Sequence, residues 1–156
     1  MKRQFLAILL CVLLLVSLAA PVYAVTPRSG SESKTIRIGN KPYVATAGLG
    51  YTSLNFGYAT ASLVDQSTGQ YTPRIYVEFE DVTVRYETKR NGYINNSVAT
   101  NPKKFVSDKQ VLKSNYTEPP IGVEGYTYMN ARVRFYDDTN GDGRADIEVY
   151  IYPYMN

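Results

Sequence analysis

Thr127, Met129, Ala131, Val133 and Phe135 occupy alternate positions near the C-terminus, and Tyr126, Tyr128, Asn130, Arg132, Arg134 and Tyr136 fill the others. The same beat returns after a polar interval, with Ala145, Ile147, Val149 and Ile151 set against Glu148, Tyr150, Tyr152 and Tyr154. A period of two fits only a strand, where successive side chains point to opposite faces. Two such runs around a short polar stretch predict a C-terminal β-hairpin. With the loop symmetric about Gly141, Phe135 faces Ile147, Val133 faces Val149, Arg134 faces Glu148 and Tyr128 faces Tyr154. Each cross-strand pair of this kind contributes about 0.2–1 kcal/mol.

The alternation extends upstream. Thr35 to Ile38 is a short strand ending at the turn Gly39-Asn40, and Tyr43 to Ala47 reads as another. Tyr51 to Val64 is rich in strand formers, with Leu54, Phe56 and Tyr58 in one phase and Ala59, Ala61 and Leu63 in the other. A phase change at Gly57 predicts a bulge or bend within one strand. Arg74 to Thr88 repeats the device: Ile75, Val77 and Phe79 precede Glu80-Asp81, and Val82, Val84 and Tyr86 of opposite parity follow. One extra residue there returns both sets to a single core; a bend passing between two packed sheets is the alternative. Residues 89–122 hold isolated apolar anchors among Asn, Lys, Ser and Pro, which predicts short edge strands and a long loop. The expected fold is all-β, a small antiparallel β-sandwich.

The N-terminus is a targeting segment. Lys2 and Arg3 precede the apolar run Phe5 to Leu18, and Val22-Tyr23-Ala24 supplies a cleavage site. Residues 1–24 are read as a signal peptide, 25–34 as a flexible leader and 35–156 as a single domain. Cleavage leaves 132 of the 156 residues, enough for one core, and 15 basic against 14 acidic side chains. The precursor's charge of +3 is therefore no argument for nucleic acid. No transmembrane anchor is expected after cleavage, so the chain is expected to be secreted, or periplasmic in a host with two membranes.

There is no histidine, and the one cysteine, Cys11, leaves with the signal peptide. Histidine acid–base chemistry, Ser-His-Asp and Cys-His nucleophiles and the usual zinc ligand sets are excluded. Disulfides are excluded too, although export would permit them.

One loop carries recognisable ligand chemistry. Asp138, Asn140 and Asp142 place oxygens at alternate positions, Gly143 follows, and Asp146 adds a carboxylate. Hard Ca²⁺ takes six to eight oxygens, and alternate side chains on a tight turn converge on one point. This stretch resembles the first nine positions of the EF-hand and dockerin calcium loops. The resemblance implies side-chain oxygens from Asp138, Asn140 and Asp142, a backbone carbonyl from Arg144, and a direct or water-mediated contact from Asp146. Val149 stands where that family closes the shell with a bidentate glutamate, so Asp137, Glu124 or water must complete it. Modest, structural calcium affinity is expected. A plain hairpin loop around Asn140-Gly141 is the simpler reading.

Tyr126, Tyr128, Tyr136, Tyr150, Tyr152 and Tyr154 form a second candidate, a platform on which sugar or peptide stacks. A covering second sheet would remove that role. Glu78 and Glu80 share a face as glycosidase carboxylates do, without a cleft marked around them. Lys103, Lys104, Lys109 and Lys113 read as edge protection before they read as a basic patch. Together these features point to a secreted, non-enzymatic binding or envelope-associated module with a glycan, cell-wall component or surface protein as partner. A bacteriocin-like antagonist and a carboxylate-dependent hydrolase are the alternatives.

Overall fold

A computed structural model describes residues 30–72, 75–101, 104–106, 110–137, 142 and 144–156. Among the described residues, ten strands form two antiparallel sheets packed as a sandwich: β1 (Ser31–Ile38), β2 (Lys41–Tyr51), β3 (Gly57–Asp65), β4 (Tyr76–Thr88), β5 (Gly92–Val98), β6 (Lys104–Phe105), β7 (Leu112–Lys113), β8 (Val123–Asp137), β9 (Ile147–Ile151) and β10 (Tyr154–Met155). The smaller sheet runs β1-β2-β3-β7. The larger runs β10-β8-β4-β5, with β6 added to β4 and β9 to β8. The expected all-β sandwich is the observed fold.

The first two strands are joined by Gly39-Asn40, where Gly39 takes a φ of 61° that its lack of a Cβ permits. Pairing continues back to Ser31↔Gly48, and Leu49 N donates to Gly30 O at 2.7 Å. The end of the expected leader, residues 31–34, is thus part of the sheet, while 25–29 lie outside the described residues.

The expected single strand over Tyr51 to Val64 is instead a hairpin. Tyr51 pairs with Gly57, and residues 52–56 turn the chain around. Thr52 Oγ1 accepts from Phe56 N at 3.2 Å, and Asn55 adopts a φ of 65°. Reversal of direction changes the apolar phase as effectively as a bulge does, which is why the sequence pattern resembled one. Leu54, expected to share a strand face with Phe56 and Tyr58, sits exposed at the tip of the turn.

In β4 the phase change comes from a bulge, the first of the two causes expected, and not from a bend between sheets. Phe79 pairs with Val133 and Asp81 with Arg132, so Glu80 is the extra residue of a bulge. Ile75, Val77 and Phe79 before it, and Val82, Val84 and Tyr86 after it, are all buried in one core. Opposite them the smaller sheet contributes Ala45, Ala47, Ala59, Ala61 and Leu63. Small side chains on one sheet make room for the larger valines, phenylalanines and Tyr86 on the other.

Residues 89–122 supply the edge strands β5, β6 and β7. Ser114 and Thr117 bond to the backbone of β3 at Ala59 and Gly57, and Asn96 Nδ2 on β5 donates to Glu118 O. The segment therefore bridges the two sheets along one open side of the sandwich.

The terminal hairpin forms, but its register differs from symmetry about Gly141. Phe135 pairs with Val149, Val133 with Ile151, Arg134 with Tyr150 and Asp137 with Ile147, a slide of two residues. Such a slide keeps every side chain on its own face, so alternation alone does not select between the two registers. Asp137 decides it locally: its buried carboxylate accepts Ile147 N at 2.7 Å, and its carbonyl accepts Asp146 N at 3.1 Å. Pairing resumes after Tyr152-Pro153, where Tyr154 meets Asn130.

Candidate binding face

The larger sheet turns one face to the core and the other outward. Outward from β8 point Tyr128, Asn130, Arg132, Arg134 and Tyr136, because Met129, Ala131, Val133 and Phe135 are inside. Beside them β4 presents Tyr76, Glu78, Asp81, Thr83 and Arg85, and β9 and the residues after it present Glu148, Tyr150, Tyr152 and Tyr154.

This face is layered from cations and rings. The Arg132 guanidinium lies 4.8 Å from the Tyr150 ring, Arg134 lies 4.2 Å from Tyr136, and Arg85 lies 4.8 Å from Tyr128. Each contact is a cation–π interaction within the usual 6 Å range. Carboxylates complete the layer: Glu80 Oε2 is 2.6 Å from Arg132 Nε, Glu78 Oε2 is 3.2 Å from Arg134 Nη1, and Arg134 Nε pairs with Glu148. Arg134 and Glu148, expected directly opposite each other, are not register partners and meet on the diagonal instead. Its bond to Tyr150, and Glu80 beside it, hold the Arg132 charge above its ordinary pKa. Loss of surrounding water works against the Arg134 charge, but Glu148 and Glu78 outweigh it. Desolvation, then a bond to Glu148, push the Tyr150 phenol up.

Two near-parallel ring pairs stand on this scaffold. Tyr128 and Tyr154 stack with centroids 6.2 Å apart, and Tyr150 and Tyr152 with centroids 6.3 Å apart. Between them opens a groove of about 350 Å³ lined by Asp81, Asn130, Ala131, Arg132, Tyr152, Pro153 and Tyr154. The smaller sheet fixes its outer wall. Lys34 Nζ donates to Tyr150 O at 2.7 Å, and Tyr152 N donates to Glu32 Oε2 at 3.2 Å. These side chains occupy backbone groups on the edge of β9 that would otherwise be open to another strand.

Two of the six tyrosines expected on this platform do not stand exposed on it. Tyr136 is on the face but buried, stacked on Tyr76 at 5.3 Å beneath Arg134. Tyr126 points the other way. Arg85 pairs with Tyr128 and Tyr86 with Tyr126, so Thr127 is a second bulge that puts Tyr126 on the opposite face of the sheet, beside Tyr51 with ring centroids 3.8 Å apart, where it is still 36% exposed. Tyr128, Tyr150, Tyr152 and Tyr154 remain. Asp81, Asn130 and Pro153 were not singled out from sequence; the parity of β4 past its bulge is the signal that places Asp81 beside the rings.

The acidic loop is described in part. Asp138 and Asn140 of the expected calcium ligands lie outside the described residues. Asp142, Arg144 and Asp146 are described: Asp142 and Arg144 are exposed, Asp142 Oδ1 accepts Arg144 N at 2.8 Å, and Asp146 is exposed at the foot of β9. Among the described residues, no three acidic side chains are grouped to hold a metal. Glu124 cannot close such a shell. It pairs with Lys89 and stands at the far end of a fifteen-residue strand from Asp137, about 40 Å away at 3.3 Å per residue. Lys103 and Lys109 also lie outside the described residues, while Lys104 and Lys113 belong to different sheets. Comparison with protein-family models, with curated proteins and with solved structures found no match.

Proposed function

We propose that the chain is an exported, non-enzymatic binding module that presents the outer-face groove of its larger sheet to a ligand. The observation that carries this reading is the groove itself. Exposed Tyr152 and Tyr154 flank a small set of polar groups, on strands held by ion pairs and cation–π contacts. Pockets of about 300–1,000 Å³ that combine aromatic walls with a few placed polar groups are typical ligand sites. Rings already stacked on neighbours lose little freedom on binding. Glu78 and Glu80, the candidate catalytic pair, are each matched to an arginine, an arrangement that favours scaffolding over proton transfer.

The loop over residues 138–146 is assigned a structural calcium ion on the strength of its alternate oxygens, with Asp138, Asn140, Asp142, Arg144 and Asp146 as ligands. Asp137, which ends β8 just before that loop, accepts Ile147 N and so ties the two strands of the groove-bearing hairpin together. Binding of a cell-wall glycan or surface protein outside the cell fits both features.

Paired screens of glycan and peptide arrays with the wild-type chain and Tyr154→Ala test the reading. A ligand retained by the first and lost by the second is expected. Identical profiles for the two chains contradict it.

A further inference from the structure

We infer that the groove takes a neutral saccharide, an inference that rests on the binding-module reading and names its ligand class. The argument starts from charge. Arg132 and Arg134 are already matched to Glu80, Glu78 and Glu148, and Asp81 adds a further carboxylate beside the groove. Carboxylates outnumber guanidinium groups across this part of the face, so phosphate, nucleic acid and acidic peptides meet no net attraction.

The polar lining is mixed. Asp81 accepts hydrogen bonds and already takes one from Thr83 Oγ1 at 3.2 Å. Arg132 only donates. The Asn130 side-chain amide, which lines the groove, does both. Adjacent acceptor, donor and dual groups suit hydroxyls, which need one of each. A sugar ring carries such hydroxyls around its edge and presents C–H groups from its faces.

The walls match those faces. Tyr152 and Tyr154 are about half exposed, 53% and 49%, and each is backed by a second tyrosine in a near-parallel stack. The negative face of an aromatic ring attracts polarised C–H groups as it attracts the edge of another ring. An extended apolar segment would cover the Asn130 side-chain amide without offering it a hydrogen bond, a desolvation cost of about 1–3 kcal/mol. The saccharide satisfies walls and floor together.

Affinity electrophoresis of the exported chain tests the assignment, in gels containing β-glucan, xylan, mannan or glycol chitin, with polygalacturonate as the anionic comparator. At least one neutral polymer slows the wild-type chain. Tyr154→Ala and Asn130→Ala each weaken that retardation by about tenfold, the equivalent of one lost stacking or hydrogen-bonded contact. Tyr116→Ala, an exposed tyrosine outside the groove, leaves it unchanged. Thermal melting identifies any variant that fails to fold, and the two groove variants give independent readings. Retardation by polygalacturonate alone, by no polymer, or equally in wild type and both groove variants overturns the saccharide assignment. A groove-dependent ligand found only on the peptide array overturns it while leaving the binding-module reading in place.

Discussion

Glu80 reaches Arg132, Oε2 to Nε at 2.6 Å, from the extra position of the β4 bulge. The residue that restores the core phase of β4 is therefore also the one that charges the outer face. Val82, Val84 and Tyr86 are inside because Glu80 is out of step.

Deletion of Glu80 separates these two roles from simple loss of charge. Without the extra residue, one half of β4 must turn its apolar side chains to solvent, and the chain is expected not to fold. Glu80→Gln removes only a partly exposed ion pair and costs up to about 1 kcal/mol. Urea denaturation followed by circular dichroism distinguishes the outcomes.

Gly57→Ala tests how closely the sheets approach. A Cβ there would lie 2.5 Å from Val84 Cγ2 and 3.2 Å from Met129 Cε, in a fully packed region. Overpacking of this kind costs about 1–3 kcal/mol. Gly125→Ala, with nothing within 4 Å of the new methyl, serves as the comparison and should change stability by less than about 0.5 kcal/mol. The midpoints of denaturant melts of both variants check the pair.

Alkaline pH should act through the inward tyrosines. Burial, and Tyr126 beside it, push the Tyr51 phenol far above its ordinary value of 10.0, and burial raises Tyr86 as well. A folded-state pKa above the unfolded one means that stability is fully present below pH 10 and is lost as pH rises through the folded value. Tyr51→Phe removes one of these groups and should shallow the alkaline decline in melting temperature. Phenolate absorbance should show these two tyrosines titrating last, with unfolding.

How much of this was written in the sequence depends on the interaction in question. Alternation identified the strands and the single core, and parity around Glu80-Asp81 located a bulge, because both are local patterns. The slide of the terminal hairpin was invisible, since moving two residues preserves every face; it needed the Asp137 to Ile147 bond. The Thr127 bulge left no mark either, because tyrosines stand on both sides of it. At Gly57, a reversal of the chain and a bend give the same change of phase. The groove was the least legible part. It joins Asp81 on β4 to Tyr154 on β10 across β8, and only strand pairing brings them together.

Calcium should stabilise the chain by mass action. At tenfold excess over Kd, linkage gives about 1.4 kcal/mol, a rise of several degrees in melting temperature. Asp142→Ala should abolish the rise without lowering the melting temperature measured in chelator. Equal melting in millimolar calcium and in chelator contradicts the assignment of the ion to this loop.

The central claim is that ligand sits in the outer-face groove, and backbone amide shifts measured by NMR during titration with the retained oligosaccharide test it most directly. Saturable shifts concentrated at Asp81, Asn130, Arg132, Tyr152 and Tyr154 are expected. Shifts confined to β1, β2, β3 and β7, or no saturable shifts in the groove, would contradict the claim.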